Sequence, residues 1–262
     1  MPITLLVMCN EITKRFQILW NYKFNIIVQL LTIGLIFVGA TFFIGGGQFS
    51  QAMLVPAFLG YIIWFYARIV IMSAGADIAG EAQGGTLEQM YMTPAPTESM
   101  ILGRMIAQVF STTLMVALTS VVLVLILRIQ VPFNWQAIPV LLLTLSGLFG
   151  FSLLLSGTAL VFKQVDSLAD LIQNLMLFLT GSLLPVSRFP EWLAVIAQTL
   201  PITQGIIVLR SILLDGQSLA STWANGSLIL LLIHSSLYLF GGWLIFKWCE
   251  RAARRQGSLS HY

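Results

Sequence analysis

IPVLLLTLSGLFGFSLLLSGTALV, residues 138–161, contains no Asp, Glu, Lys or Arg. A helix needs about 20 apolar residues to cross the roughly 30 Å hydrocarbon core of a bilayer, so this run is long enough to span a membrane. The composition of the whole chain also indicates a membrane protein, because 58% of its 262 residues are hydrophobic and only 9% are charged. A water-soluble domain carries about 25% charged residues. The sequence therefore predicts an all-α integral membrane protein in which lipid is the solvent for most side chains.

Five further apolar runs bring the predicted number of transmembrane helices to six. Polar or Gly/Pro-rich segments separate the runs, and the fifth run is short. We treat residues 1–262 as a single transmembrane domain. In chain order the predicted spans are Ile26–Ile44, Ala52–Ala74, Met105–Leu127, Ile138–Val161, Leu171–Val186 and Ser227–Phe246.

Residues 187–226 contain two more apolar pieces, Trp192–Leu200 and Ile202–Leu214, which Pro201 separates. Each piece is too short to cross a bilayer, and pieces of this length are typical of re-entrant or interfacial helices. We therefore predict a re-entrant helical pair on the outer side, between spans five and six. The alternative is one kinked seventh span.

Residues 1–25 precede the first span and predict a helix that lies along the inner leaflet. The first ten residues lack the pattern of a cleavable signal peptide, so we expect the first span to be retained. Apolar residues recur at spacings of three and four, and charged or amide residues fall elsewhere. The apolar residues are Leu5, Met8, Ile12, Phe16 and Leu19, and the polar ones are Glu11, Lys14, Arg15 and Gln17.

The distribution of basic residues predicts the orientation, because cytoplasmic segments carry an excess of Lys and Arg. Both termini are predicted to be cytoplasmic, and residues 247–262 form a basic cytoplasmic tail. The membrane is then the inner, or cytoplasmic, membrane of the cell. The basic residues on the inner side are Lys14, Arg15, Lys23, Arg68, Arg104, Lys163, Lys247, Arg251, Arg254 and Arg255, against Arg128, Arg188 and Arg210 on the outer side.

Residues 75–104 form the first predicted cytoplasmic loop, which reads GADIAGEAQGGTLEQMYMTPAPTE from Gly75 to Glu98. Thr86 with Gln89 three residues later matches the capping box that begins a helix, and Pro94 ends it. The spacing predicts a short capped helix, Leu87–Met92, at the membrane face. Such a helix suits docking of a soluble partner, and an ordinary polar turn between two spans explains the same residues.

Two stretches on opposite sides of the membrane resemble ABC-2 type transporter permeases. The first is this loop, in which Glu81 precedes Gly85-Thr86-Leu87-Glu88-Gln89 and Arg104 ends the motif. The second, from Leu179 to Arg210, resembles the end of the family's fifth span and the helical pair after it. The resemblance extends over essentially the whole chain. One departure is Ala82, because the family often has a basic residue directly after the first glutamate.

The resemblance implies the membrane subunit of an ABC exporter, whose loop helix couples to a separate ATPase. The chain has no GxxxxGK[ST] phosphate loop, so we expect it not to be an enzyme. No cofactor is expected in this chain, and ATP and Mg²⁺ are expected on two copies of an ABC ATPase subunit. A second permease subunit would complete a homodimer or heterodimer. The residues carried over to the coupling region are Glu81, Gly85, Thr86, Leu87, Glu88 and Gln89.

Five residues within the spans are candidates for a translocation path, because the family tends to line its central route with spans two and five. Plain helix packing explains these residues equally well, and Arg68 can also extend its charge to the inner interface. An aromatic, weakly polar path would suit amphipathic or apolar cargo, such as a drug-like molecule, a lipid or a glycolipid. The candidates are Tyr61, Phe65 and Arg68 on span two and Asn174 and Phe178 on span five.

Other classes of function have weaker support in the sequence. A non-transporting membrane component, such as an assembly or immunity factor, is the first alternative. A secondary transporter is a further one, although it needs ionisable groups at depth, and only Arg68 and His234 lie within the spans. Cys9 and Cys249 have neither disulfide nor metal-site spacing, and no basic–aromatic run predicts nucleic-acid binding.

Overall fold

The computed structural model describes residues 3–83, 92, 97–162, 165–200 and 202–256, which form helices and their connections without a β-strand. The all-α class is therefore confirmed. A single 3₁₀ turn, Val186–Arg188, lies between α6 and α7. In chain order the helices are α1 Ile3–Asn21, α2 Lys23–Ile44, α3 Gln51–Gln83, α4 Thr97–Leu127, α5 Ala137–Phe162, α6 Asp166–Leu179, α7 Glu191–Thr199, α8 Thr203–Leu213, α9 Leu219–Ala224 and α10 Ser227–Gln256.

Within the described part of the chain, five helices are long and apolar enough to cross a membrane, or six if α7 and α8 count as one bent span. Helix α3 is the central one, because 83% of the residues in its most apolar stretch are buried, against 17% in the corresponding stretches of α2 and α10. The five segments match predicted spans one, two, three, four and six. They are Lys23–Ile44, Gln51–Ser73, Gly103–Leu127, Ala137–Phe162 and Ser227–Ala253.

Neighbouring helices run in alternating directions around α3. The side chain of Gln51 donates to the carbonyl of Arg128 just after α4, and the Tyr66 hydroxyl donates to Thr113. Residues later in α3 therefore contact residues earlier in α4, so the two helices are antiparallel. Helix α2 also runs antiparallel to α3, since Ile33 bonds Tyr61 whereas the later residue Phe37 packs on the earlier residue Phe58.

Helices α5 and α10 instead run parallel to each other. A Cβ atom added to Gly147 would lie 3.2 Å from the Cα of Ser235, and one added to Gly157 would lie 3.0 Å from the Cα of Phe246. Residues later in α5 thus contact residues later in α10, as in a parallel pair of helices. The chain must therefore return to the starting side of the layer between α5 and α10.

Glycines allow α5 and α10 to approach to backbone contact. A Cβ atom added to either Gly150 or Gly242 would lie closer than 3.0 Å to backbone atoms of the opposite helix. Lipid tails are as apolar as the side chains, so close packing of small residues is a main source of helix association in membranes. The pair α5–α10 is held together in this way.

The predicted fifth span, Leu171–Val186, has different boundaries in the structure. Helix α6 begins at Asp166 and ends at Leu179, so it is about 21 Å long at about 1.5 Å per residue. Gly181 follows with φ of +79°, a left-handed conformation that glycine adopts easily and that ends helices. Residues 180–185 thus continue without helical structure where the sequence predicted a span.

Two short helices, α7 and α8, form where the sequence predicted a helical pair, and the re-entrant placement of that pair on the outer side stays a prediction. Helices α7 and α8 are bent by 97° relative to each other, and neither is long enough to cross a bilayer. Helix α8 is largely buried against α5, whereas α7 exposes Trp192, Val195 and Ile196. A third short helix, α9, was not predicted.

The N-terminal segment forms the helix α1, but the face that it buries differs from the predicted one, and its position along the inner leaflet stays a prediction. Glu11 pairs with Arg104 at 3.3 Å, and Arg15 donates to Gln108 at 2.5 Å. Both contacts join positions 93 residues apart, so α1 runs parallel to α4 at its side. Glu11 and Arg15, which the sequence pattern placed away from the apolar face of the helix, thus face α4, and Phe16 of the predicted apolar face is 41% exposed. The lone His234 bonds the Leu230 carbonyl of its own helix.

The helices also reach into the predicted loop of residues 75–104. Helix α3 continues to Gln83, and α4 begins at Thr97. Of the residues between these two helices, 84–96, the structure describes only Met92. The predicted helix Leu87–Met92 lies outside the described residues, apart from Met92.

Candidate functional site

A polar network lies inside the apolar layer where α3 meets α6. The half-buried Arg68 guanidinium donates from Nη1 to Gln173 Oε1 at 2.8 Å. The Trp64 indole donates to the Gln173 backbone carbonyl at 2.8 Å, and the Arg68 guanidinium lies 5.7 Å from the Trp64 ring centre. The Gln173 amide donates in turn to Asn174 at 3.2 Å.

This network fixes the position of the Arg68 charge. A charged side chain at such depth is costly unless other groups stabilise it. Gln173 supplies an acceptor, and the Trp64 ring supplies a cation–π contact. Among the described residues no carboxylate forms an ion pair with Arg68. Arg68 is thus held by neutral partners within the protein, rather than by simple extension to the interface.

Two of the predicted path residues, Tyr61 and Phe65, are buried within the chain. Each is only 1% exposed. The Tyr61 hydroxyl donates to the Ile33 carbonyl of α2 at 2.6 Å, and its ring lies 4.9 Å from that of Phe37. Both residues pack in the interior of the single chain, so they face no open passage here.

The other two predicted path residues lie on the outer face of α6. Asn174 is exposed, and Phe178 is 65% exposed. Leu171 and Leu175 are exposed on the same helix, which gives an apolar surface with one amide in it. The network joins Asn174 to Arg68 through Gln173, and the Tyr61 ring lies 5.0 Å from the Trp64 ring of the same network. A path over the five residues stays a prediction.

A second polar site lies at the opposite ends of the same helices. The half-buried guanidinium of Arg210 on α8 donates from Nε and Nη2 to the Pro56 carbonyl at 3.0 and 2.7 Å. Its Nη2 also donates to the Ser182 carbonyl at 3.0 Å. Gly60 leaves room for this arrangement, because a Cβ there would lie closer than 3.0 Å to both Ser182 and Arg210. Arg210 therefore ties α8 to α3 and to the segment after α6.

Comparison with known proteins identifies the family. The family model for the ABC-2 type transporter matches residues 5–214. The match begins in α1, includes both polar sites and ends just after α8. The chain belongs to the ABC-2 type transporter family. A search of the curated proteins found no match.

This ABC-2 family protein is thus a multi-pass membrane protein and the permease component of an ABC transporter. The match is shorter than the resemblance predicted, because it ends at residue 214 and leaves out α9 and α10. Members of this family act with an ABC ATPase partner.

The coupling residues of the permease lie almost entirely outside the described part of the chain. Glu81 is in the last turn of α3, and nothing further is described of its side chain. Gly85, Thr86, Leu87, Glu88 and Gln89 lie in the undescribed residues 84–91. Their role stays a prediction.

Sequence reasoning missed three residues that build the two polar sites of the permease. Gln173 and Trp64 were read as parts of apolar runs, and Arg210 only as an outer charge. Each of the three residues could have been noticed in the sequence, because an amide, an indole N–H or a guanidinium in an apolar segment needs a hydrogen-bond partner. Which group becomes that partner cannot be predicted from the sequence.

Proposed function

We propose that this permease is the membrane subunit of an ATP-driven exporter and that it moves amphipathic or apolar cargo. A drug-like molecule, a lipid or a glycolipid fits this class. Two copies of a separate ABC ATPase subunit supply the energy, with ATP and Mg²⁺ bound on them, and a second permease subunit completes the machine. The match to the ABC-2 type transporter family over residues 5–214 carries the proposal.

The lengths of α3 and α4 support a coupling role for the connection between them. The apolar part of α3 ends at Ser73, and the helix continues to Gln83, which adds about 15 Å at about 1.5 Å per residue. Helix α4 begins at Thr97, about 9 Å before the start of its apolar part at Gly103. Residues 84–96 therefore begin and end beyond the membrane-length parts of both helices, within reach of a soluble subunit.

The helix directions support six crossings with both termini in the cytoplasm. Helices α5 and α10 are parallel, so an odd number of crossings lies between them. Helix α6 supplies one crossing, which favours α7 and α8 as a re-entrant pair over a seventh span. The excess of Lys and Arg at the end that holds α1 and the α10 terminus favours a cytoplasmic position for that end.

The exposed face of α6 supports a shared path between two permease subunits. The Asn174 Oδ1 accepts from Gln173, and its NH2 group makes no hydrogen bond to the described residues. An NH2 group is costly against lipid tails unless it meets an acceptor, which a second subunit or a polar group on the cargo would supply. Phe178 and the neighbouring leucines would contact the apolar part of the cargo, while the Arg68 network lies next to Asn174 and favours a polar end.

The test begins with purification of the tagged chain from its native membrane and identification of co-purified proteins. We expect an ATPase with a phosphate loop, whose ATP hydrolysis in proteoliposomes rises on addition of an amphiphilic cargo. Glu88→Lys should abolish this stimulation without loss of membrane insertion, because it reverses a charge in the predicted docking segment. Glu191→Lys, the same change at an exposed position at the start of α7, is the matched control.

Two results would contradict the proposal. One is the absence of any ATPase in the purified complex. The other is unchanged coupling in Glu88→Lys when Glu191→Lys also has no effect, which would remove the docking role of residues 84–96.

A further inference from the structure

The hydrogen bonds around Arg68 run in one direction. A guanidinium has no acceptor atom, so Arg68 can only donate, and the Gln173 amide must turn its oxygen toward it. The NH2 group of Gln173 is then left to donate to Asn174, which must accept with its own oxygen. Asn174 consequently presents its NH2 group, which makes no hydrogen bond to the described residues.

The other end of this chain of hydrogen bonds also presents donors. Arg68 donates to Gln173 from Nη1 alone, and its Nε and Nη2 make no hydrogen bond to the described residues. Both nitrogens reach the molecular surface, since neither is among the buried atoms of the described residues that lack a partner. The network therefore ends in N–H groups on both sides.

Arg68 lies at an opening in otherwise closed packing. From Ile63 to Ile71 on α3, every residue except Arg68 is buried. Asn174 is exposed and directly follows the buried Gln173. Because Gln173 bonds both Arg68 and Asn174, the two groups border the same part of the surface, where α3 meets α6. We call the Arg68 guanidinium and the Asn174 amide the donor pair.

The donor pair lies inside the apolar layer. Arg68 precedes Ser73, the end of the apolar part of α3, by five residues, which is about 8 Å at about 1.5 Å per residue. An unpaired charge and unpaired N–H groups are costly where water is scarce. Among the described residues no carboxylate forms an ion pair with Arg68. An acceptor from another molecule satisfies these N–H groups, and a negatively charged acceptor also compensates the charge.

We propose that the donor pair binds the anionic group of an amphipathic cargo, which enters from the adjoining leaflet. A phosphate, sulfate or carboxylate group fits, because each offers several oxygen atoms to a guanidinium. Phe178 lies one turn after Asn174 on α6, is 65% exposed and would contact the apolar part of the cargo. This cargo class rests on the exporter function proposed above and narrows it to amphiphiles with a negative charge.

The test measures binding by the full chain with its co-purified partners, in nanodiscs of phosphatidylcholine. The probes are lysophosphatidylglycerol, which is anionic, and lysophosphatidylcholine, which has the same acyl chain and no net charge. Native mass spectrometry over a series of probe concentrations gives the apparent affinity for each. We expect the wild type to prefer the anionic probe about tenfold, which is the effect of one hydrogen bond to a charged group.

Two substitutions at the donor pair test its role. Arg68→Gln removes the charge, so the preference for the anionic probe should disappear. Asn174→Leu removes an amide from an exposed position, so the fold should be retained and the preference should fall about threefold. A merely structural role would change stability but not the ratio of two affinities. Arg188→Gln, which removes an exposed charge near α7, is the matched control and should keep the preference of the wild type.

Several results would overturn the proposal. They are equal affinity for the two probes in the wild type, an unchanged preference in Asn174→Leu, and an equal loss of preference in Arg188→Gln. Displacement of lysophosphatidylglycerol by inorganic phosphate at a comparable concentration would assign the donor pair to a small anion and overturn the amphiphile assignment.

ATP hydrolysis separates the failure of this cargo assignment from the failure of the proposed function. We expect lysophosphatidylglycerol to stimulate the co-purified ATPase. If it binds without stimulation while another amphiphile stimulates, the donor pair holds a resident lipid and the cargo assignment is wrong. If no ATPase co-purifies, the exporter function is contradicted, whereas the two affinities still decide whether the donor pair selects an anion.

Discussion

Replacement of Arg210 by methionine tests the tie between α8 and the central helix. The change removes two hydrogen bonds to the Pro56 carbonyl and one to the Ser182 carbonyl, all between 2.7 and 3.0 Å long. Methionine keeps a long flexible side chain, so the loss of packing is small. The expected effect is therefore mainly that of the lost hydrogen bonds.

The size of the effect follows from these contacts. A hydrogen bond from a charged group contributes about 1.5–3 kcal/mol, so satisfying two carbonyls gives a gross value of about 3–6 kcal/mol. Two effects reduce it, because burial of the guanidinium is itself costly and hydrogen bonds in membrane proteins average about 0.6 kcal/mol. We expect a net loss of about 2 kcal/mol in the free energy of unfolding, which is roughly a thirtyfold rise in the unfolded fraction.

The chain offers a built-in probe for this measurement. Cys249 on α10 is 3% exposed, whereas Cys9 is exposed. In a Cys9→Ser background, a thiol-reactive dye therefore reports unfolding through exposure of Cys249. Arg188→Met, at an exposed position near α7, is the matched control and should behave as wild type. A change below about 0.5 kcal/mol in Arg210→Met would refute the reasoning, since it lies within the usual range of surface substitutions.

Three further predictions test the core and the polar network. Gly242→Ala should cost about 1–3 kcal/mol by overpacking the α5–α10 contact, whereas Gly241→Ala, whose Cβ meets nothing within 4 Å, should be neutral or stabilising in the same dye assay. Gln173→Leu should lower transport in proteoliposomes because the network loses its acceptor, and Gln173→Glu should retain more transport; equal rates in both variants would count against a role in transport. Tyr61→Phe should cost about 1 kcal/mol in thermal unfolding by removing the buried hydrogen bond from its hydroxyl to the Ile33 carbonyl, and no loss would show that this bond contributes little.

Much of the fold could be predicted from apolar runs alone. The first span ends at Ile44 both in the sequence pattern and in α2, and the fourth run coincides with α5 to within one residue at either end. The reason is that a bilayer imposes one length requirement on every span. Helix boundaries that depend on local backbone conformation could not be predicted as well from the sequence. Helix α6 ends at Leu179 because Gly181 adopts a left-handed conformation, which an apolar pattern cannot reveal.

The candidate site was predicted only in part, because the faces of a membrane helix look alike in sequence. The side toward lipid and the side toward protein are both apolar, so periodicity does not distinguish them. Tyr61 and Phe65 are consequently buried, while Phe178 on α6 is exposed. In the same way, the sequence pattern placed Glu11 and Arg15 away from the apolar face of α1, although they contact α4.

The sequence by itself determined that the chain is an integral membrane protein, that it is helical, and that two of its segments resemble motifs of ABC-2 permeases. These properties depend on composition, on the length of apolar runs and on local residue spacing, all of which can be read directly from the sequence. Only the tertiary structure decided that α5 and α10 are parallel, that Gln173 holds Arg68, and that Arg210 bonds a carbonyl 154 residues away. In an apolar interior each polar group must find a partner, and which partner it finds depends on how the helices are arranged in space.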